Sequence, residues 1–237
     1  MGEQTSSFEI IDIQDNFIVV NKASGINFHD ENELAQGLFN LVSQHFMQTS
    51  KDKLYPVHRL DKMTSGLIVF ARNLTTAQQF QNLFSQHHID KYYLAISDKK
   101  PNKKQGLIKG DMEKSRRGSW KLLRSQHNPA SSQFFSYALS EKKRLYLIKP
   151  HSGKTHQIRV ALSSIGAPIM GDERYYGSNE EKRGYLHAYA LKFILNAQHY
   201  AYILSPCSGE HYLASHTIKQ LETLQTPWLL NWPNIKI

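Results

Sequence analysis

The chain has 237 residues, 40% of them hydrophobic and 21% charged, with a formal net charge of +9 and a pI near 9.5. This is the composition of a folded protein long enough to bury a sizeable core, and it excludes a disordered chain. The positive excess points to a polyanionic partner, while the single cysteine, Cys207, excludes an intramolecular disulfide and any multi-cysteine metal site.

Residues 8–13 and 17–21 predict two short strands around an Asp15-Asn16 turn. Lys22-Ala23-Ser24-Gly25 breaks the apolar run, and Leu34, Leu38, Leu41, Val42 and Phe46 then recur at helical spacing. Next comes His58-Arg59-Leu60-Asp61-Lys62-Met63-Thr64-Ser65-Gly66, followed by the apolar run Leu67–Ala71 of a buried strand. On this stretch alone, the plainest role for Asp61 is a turn cap bonded from side chain to backbone. Asn73 is placed to cap a helix carrying Ala77, Phe80, Phe84 and His87 along one stripe. Tyr92–Ile96 reads as an aromatic strand.

From Lys99 to Arg124 ten Lys or Arg face only Asp111 and Glu113, an excess of +8 in 26 residues. Interleaved with Trp120 and apolar residues, such an excess repels itself unless a polyanion answers it, so nucleic-acid contact with steep salt dependence is expected here. A membrane surface ranks below nucleic acid, because no basic amphipathic helix flanks an apolar anchor. Residues 133–139 and 144–149 predict paired strands. Thr155 is the expected cap of a helix carrying Ile158, Ala161, Leu162 and Ile165, closed by Gly166 and Pro168. Arg159 lies beside that apolar stripe, where it has to find an anionic partner or reach out to water. Strands at 185–195 and 199–204 and a helix at 215–225 complete an α+β chain with a largely antiparallel sheet. The polar start lacks an apolar signal-peptide core, and no apolar run reaches membrane-spanning length. A cytoplasmic protein with no membrane partner is expected.

Gly153-Lys154-Thr155 ends like a phosphate-binding loop, but Ile148 stands where that loop needs its first glycine. His151 and His156 lack a carboxylate at metal-binding spacing, so no metal is expected. Cys207 has no activating neighbour, and Asp172 as a second acid beside Asp61 would need a separation that the sequence does not set.

Five blocks, however, fall in order. They are His58-Arg59-Leu60-Asp61 with Thr64-Ser65-Gly66-Leu67, Lys91-Tyr92-Tyr93-Leu94-Ala95, and Gly153-Lys154-Thr155-His156-Gln157-Ile158-Arg159-Val160. Gly166-Ala167-Pro168-Ile169-Met170-Gly171-Asp172 with Tyr176-Gly177, and Leu186-His187-Ala188 with Leu191 and Phe193, follow. Together, over residues 10–195 or so, they resemble the RluA-type RNA pseudouridine synthases. Two departures stand out. Lys22-Ala23-Ser24-Gly25 replaces the family's Lys-Pro-x-Gly, and Ser205-Pro206-Cys207-Ser208-Gly209-Glu210 replaces its His-Pro-x-Thr-Gly-Glu turn after an extra strand-like piece.

The resemblance implies a mixed, mainly antiparallel sheet split by a catalytic cleft and flanked by helices. It implies a single catalytic domain over 1–237 without an S4 RNA-binding domain, acting on ribosomal or transfer RNA as a monomer without cofactor. Asp61 would be the essential carboxylate, Arg159 its ion-pair partner, and Tyr93 the ring stacked on the target base. Arg59 would fill the space left by a flipped base, with Thr64, Lys91, Lys154 and Gln157 also on the substrate side. Lys114, Arg116, Arg117, Lys121 and Arg124 would hold the RNA backbone. The rival expectation is a noncatalytic RNA-binding protein on the same scaffold.

Overall fold

The Asp15-Asn16 turn forms as expected, joining β1 (Phe8–Ile13) to β2 (Phe17–Lys22) in an antiparallel hairpin. The structure is a computed structural model that describes residues 6–30, 36–50, 53–177 and 180–232. Its chain divides into two compact units, Met1–Ile89 with Leu191–Leu204 and Asp90–Ala190 with Ser205–Ile237.

In the first unit β2 pairs antiparallel with β4 (Thr64–Ala71), which also takes the short β3 (Tyr55–Pro56). Helix α1 (Leu38–Thr49) lies between β2 and β3 in sequence, and α2 (Leu74–Ser85) follows β4. Leu34, expected on the first of these helices, lies outside the described residues. β4 begins three residues earlier than the apolar run suggests, because Thr64 and Ser65 are buried with it. Asn73 caps α2 by accepting the Thr76 N–H at 2.8 Å, as expected. Phe17, Val19, Leu67, Val69, Phe80 and Phe193 form the heart of this unit's core.

The second unit is built on four antiparallel strands in the order β5-β10-β9-β6. They are β5 (Asp90–Ser97), β6 (Gln105–Gly110), β9 (Ala130–Ala138) and β10 (Arg144–Pro150). Between β6 and β9 a separate hairpin, β7 (Met112–Lys114) and β8 (Trp120–Leu122), turns over a short 3-10 segment at Arg116–Gly118. Helix α3 (Gln157–Ser164) is not capped by Thr155. His156 takes the cap position at φ +57, and its side chain makes no bond that caps the helix. At the other end Gly166 sits at φ +76, with its N–H on Ser163 O and the Ala167 N–H on Leu162 O. Such a left-handed C-terminal cap favours glycine.

β11 (Leu186–Leu195) contributes its first five residues to the second unit and its last five to the first. It continues into β12 (Gln198–Ile203) through Asn196 and Ala197, both at positive φ as a two-residue hairpin turn requires. Helices α4 (Glu210–Leu213) and α5 (Ser215–Glu222) complete the second unit. There the phenols of buried Tyr189 and Tyr212 donate to Leu224 O and Leu94 O, which tie the C-terminal segment to the sheet. The architecture is α+β with mainly antiparallel strands, as expected.

Candidate active site

The Asp61 turn is made by backbone groups. Leu60 is buried and serves as an anchor, Arg59 beside it is exposed, and Asp61 is half-buried. His58 accepts the Val69 N–H of β4 through Nε2 at 3.0 Å, which requires that nitrogen to be unprotonated. The Thr64 N–H bonds to the Asp61 carbonyl at 3.0 Å, so the main chain helps to close the turn.

A second layer holds this turn. Lys22, at the end of β2 opposite Gly66, is fully buried, and its ammonium donates to Ala23 O, Lys62 O and Thr64 O at 2.9, 3.1 and 2.8 Å. Ser24 Oγ donates to Met63 O at 2.8 Å, and the Gly25 N–H to Lys62 O at 2.8 Å. Buried lysines are rare unless every proton has a partner, and here the protons go to the carbonyls around Asp61. Nothing in the sequence beyond a lysine closing an apolar strand signals this. Thr64 is itself buried, and its bonds hold the turn.

In the second unit, alternation along β5 buries Tyr92 completely and turns the half-buried Tyr93 to the opposite face. Lys91 precedes them, and burial lowers its ammonium pKa from the ordinary value near 10.5. Arg159, on the first turn of α3, is 8% exposed and meets Asp172, which is 0% exposed. Its Nε and Nη2 donate to the two Asp172 oxygens at 2.7 and 2.8 Å, a bidentate pair. The same carboxylate accepts the Arg174 N–H at 3.1 Å and the Tyr175 N–H at 3.3 Å. With four donors on it and no exposure, Asp172 is unsuited to work as a second acid, and it serves to orient Arg159.

Gly171 gives Asp172 its approach, since at φ +76 a Cβ there would run into the Arg183 carbonyl. The Tyr175 ring lies 5.1 Å from the Arg159 guanidinium carbon. Its hydroxyl accepts the Trp120 N–H at 2.9 Å and lies 2.9 Å from His156 Nδ1, linking the β7–β8 hairpin to the start of α3. Burial raises the Tyr175 pKa, a shift that the Trp120 bond and the Arg159 charge oppose.

Gln157 is buried, with its amide fully engaged. Nε2 donates to Ser131 O and Ser132 Oγ at 3.0 Å each, and Oε1 accepts Ser152 Oγ at 2.7 Å and the Lys154 N–H at 3.0 Å. Lys154 Nζ bonds Asn128 O. These contacts fasten the 151–154 loop to β9.

The basic stretch does not form one surface. Lys114 lies 5.8 Å over the Trp120 ring, and Lys121 pairs across the hairpin with Glu113 at 2.9 Å. Arg116 and Arg124 are exposed, while the Arg117 side chain lies outside the described residues. Lys99, Lys100, Lys103 and Lys104 sit at the other end of the sheet, before β6 begins. Among the described residues no helix is long and apolar enough to cross a membrane, and no cluster of His, Cys, Asp and Glu is arranged to hold a metal.

A family model described as RNA pseudouridylate synthase matches residues 16–164. A Haemophilus influenzae protein named as an uncharacterized RNA pseudouridine synthase is 44% identical over 220 residues, covering 92% of this chain and 96% of that one. The ribosomal large subunit pseudouridine synthase C of Rickettsia conorii is 30% identical over 196 residues, 79% of this chain but 64% of its own length. Among solved structures, human RNA pseudouridylate synthase domain containing 1 superposes with a TM-score of 0.72 at 20% identity, over 95% of this chain and 98% of that one. That likeness is one of fold.

Proposed function

The chain belongs to the RNA pseudouridylate synthase family, and on that premise we propose that it isomerises uridine in structured RNA with Asp61 as the essential carboxylate. The C1′–N1 glycosidic bond breaks, the base turns, and a C1′–C5 bond forms while the C5 proton leaves and N1 gains one. The product has the atoms of the substrate, so the chemistry calls for no redox or group-transfer reagent. Asp61 acts on the sugar as nucleophile or base, with Arg159 as the ion-pair partner that the family resemblance implies for it. Tyr93 stacks on the base and assists at C5.

A uridine inside a stem cannot meet a carboxylate without leaving the stack, at a cost of a few kcal/mol. The exposed Arg59 suits the vacated space, since a planar guanidinium stacks and hydrogen-bonds at once. Lys91 and Lys154 face the substrate side, Thr64 and Gln157 support it, and Lys114, Arg116, Arg117, Lys121 and Arg124 follow the RNA backbone. The name of the Rickettsia relative makes large-subunit ribosomal RNA the first target to try, with transfer RNA next. The protein acts as a monomer in the cytoplasm.

The observation that carries this proposal is the Asp61 turn itself, whose Asp61 carbonyl accepts the Thr64 N–H and whose neighbouring carbonyls are held by the buried Lys22, so that the residue is fixed in place. With RNA tritiated at uridine C5, the wild type is expected to release tritium, and Asp61→Ala to release none while still binding RNA. Unchanged release from the variant would remove Asp61 from the reaction. Binding without release by the wild type would leave a noncatalytic RNA-binding protein.

A further inference from the structure

The lysines at 99, 100, 103 and 104 follow one another with no acidic residue between them. Their loop is pinned from within. Pro101 is buried, the Asn102 N–H reaches Ile165 O at 3.4 Å, Lys99 O accepts the Tyr146 hydroxyl, and Lys104 O accepts the Ser136 N–H and Oγ. Arg144 joins them from the start of β10, held to Ser136 O and Oγ at 3.0 Å each. The nearby acids are already engaged, Asp98 by Tyr176 and Lys99, and Glu141 by Lys143. Among the described residues no carboxylate pairs with Lys100, Lys103, Lys104 or Arg144. A loop fixed by its backbone with cations outward is a preorganised anion surface.

β6 separates this loop from the β7–β8 hairpin. Its six residues run from Gln105 opposite Phe135 to Gly110 opposite Ala130, about 20 Å at roughly 3.3 Å per strand residue. The Debye length at physiological ionic strength is about 8 Å, so the two groups of cations act on separate stretches of a ligand. We propose that the Lys99–Lys104 loop with Arg144 is a second phosphate-contact surface, so that the preferred substrate is an RNA long enough to reach both ends of this sheet. This rests on RNA being the substrate and adds its size class: structured RNA that spans at least the roughly 20 Å between the two groups, and not a stem-loop of a few base pairs.

The 237-residue chain is titrated with two probes over a range of salt concentrations. One is an RNA duplex several helical turns long, the other a stem-loop of about three base pairs, too short to reach across the roughly 20 Å between the two groups. Each phosphate contact contributes about 0.7–0.9 to the slope of log K against log salt. Lys100→Gln/Lys103→Gln/Lys104→Gln is expected to lower the long-duplex slope by about 2–3 and to leave the stem-loop slope unchanged, because the hairpin cations still serve it. An unchanged long-duplex slope, or an equal fall with both probes, would overturn the proposal. Since the readout is binding, its failure is distinct from a failure of the Asp61 tritium-release test.

Discussion

Two aspartates, one in each unit, occupy turns built in opposite ways. Around Asp172 the carboxylate is the organiser, taking four donors at zero exposure and turning Arg159 to a single orientation. Around Asp61 the backbone is the organiser. The carbonyl closes the turn, while Lys22, Ser24 and Gly25 hold the surrounding carbonyls. The contrast teaches that one residue type can organise a turn through its side chain or sit in a turn whose main chain other residues hold.

The sharpest way to break this comparison is to exchange the phenotypes. Asp172→Ala strands a buried guanidinium, and denaturant unfolding should show a loss of about 3–5 kcal/mol. Asp61→Ala should cost clearly less in the same measurement while abolishing tritium release. Equal losses of stability would erase the distinction.

Lys22→Met keeps the stem but removes the ammonium that Ala23 O, Lys62 O and Thr64 O accept, leaving Lys62 O only the Gly25 N–H. A loss of roughly 2–4 kcal/mol is expected, together with a lower turnover at saturating RNA. Wild-type turnover in a folded Lys22→Met protein would show that the brace does not position Asp61. Tyr175→Phe retains the ring over Arg159 and removes the hydroxyl that joins Trp120 to His156. About 1 kcal/mol should be lost, visible as a small fall in Tm.

The smallest effect concerns Asp111, at the base of the basic hairpin. Its carboxyl is held below its ordinary 3.8, first by the His127 amide and then by the Ser125 hydroxyl and the Asn128 amide. With the folded pKa below the unfolded one, this stabilisation is present above the unfolded value and disappears as pH falls through the folded value. Asp111→Asn should therefore flatten the acid limb of a stability-against-pH curve by lowering stability slightly at neutral pH, with the two curves converging at low pH where the wild-type carboxyl is protonated.

Much of the local structure was legible in the chain. Asn73 announced its helix, Gly166 closed α3, and the apolar runs at 17–20 and 67–71 marked buried strands, because caps and periodicity are encoded within a few residues. The His58–Asp61 and Gly153–Arg159 blocks likewise pointed to the family that the comparisons then identified. Even the need of Arg159 for an anionic partner could be read from its place beside an apolar stripe.

What the partner would be could not. Asp172 is 13 residues away, and Thr64 is 42 residues from the Lys22 that holds its carbonyl. Pairs at such separations are set by strand register and by the paths of loops, which no local pattern specifies. The same holds for the run of basic residues from 99 to 124. By itself the sequence determined its charge and its call for a polyanion. Only the tertiary structure, by laying β6 through its middle, decided that the charge stands in two groups at the two ends of that strand, because strand pairing holds β6 extended.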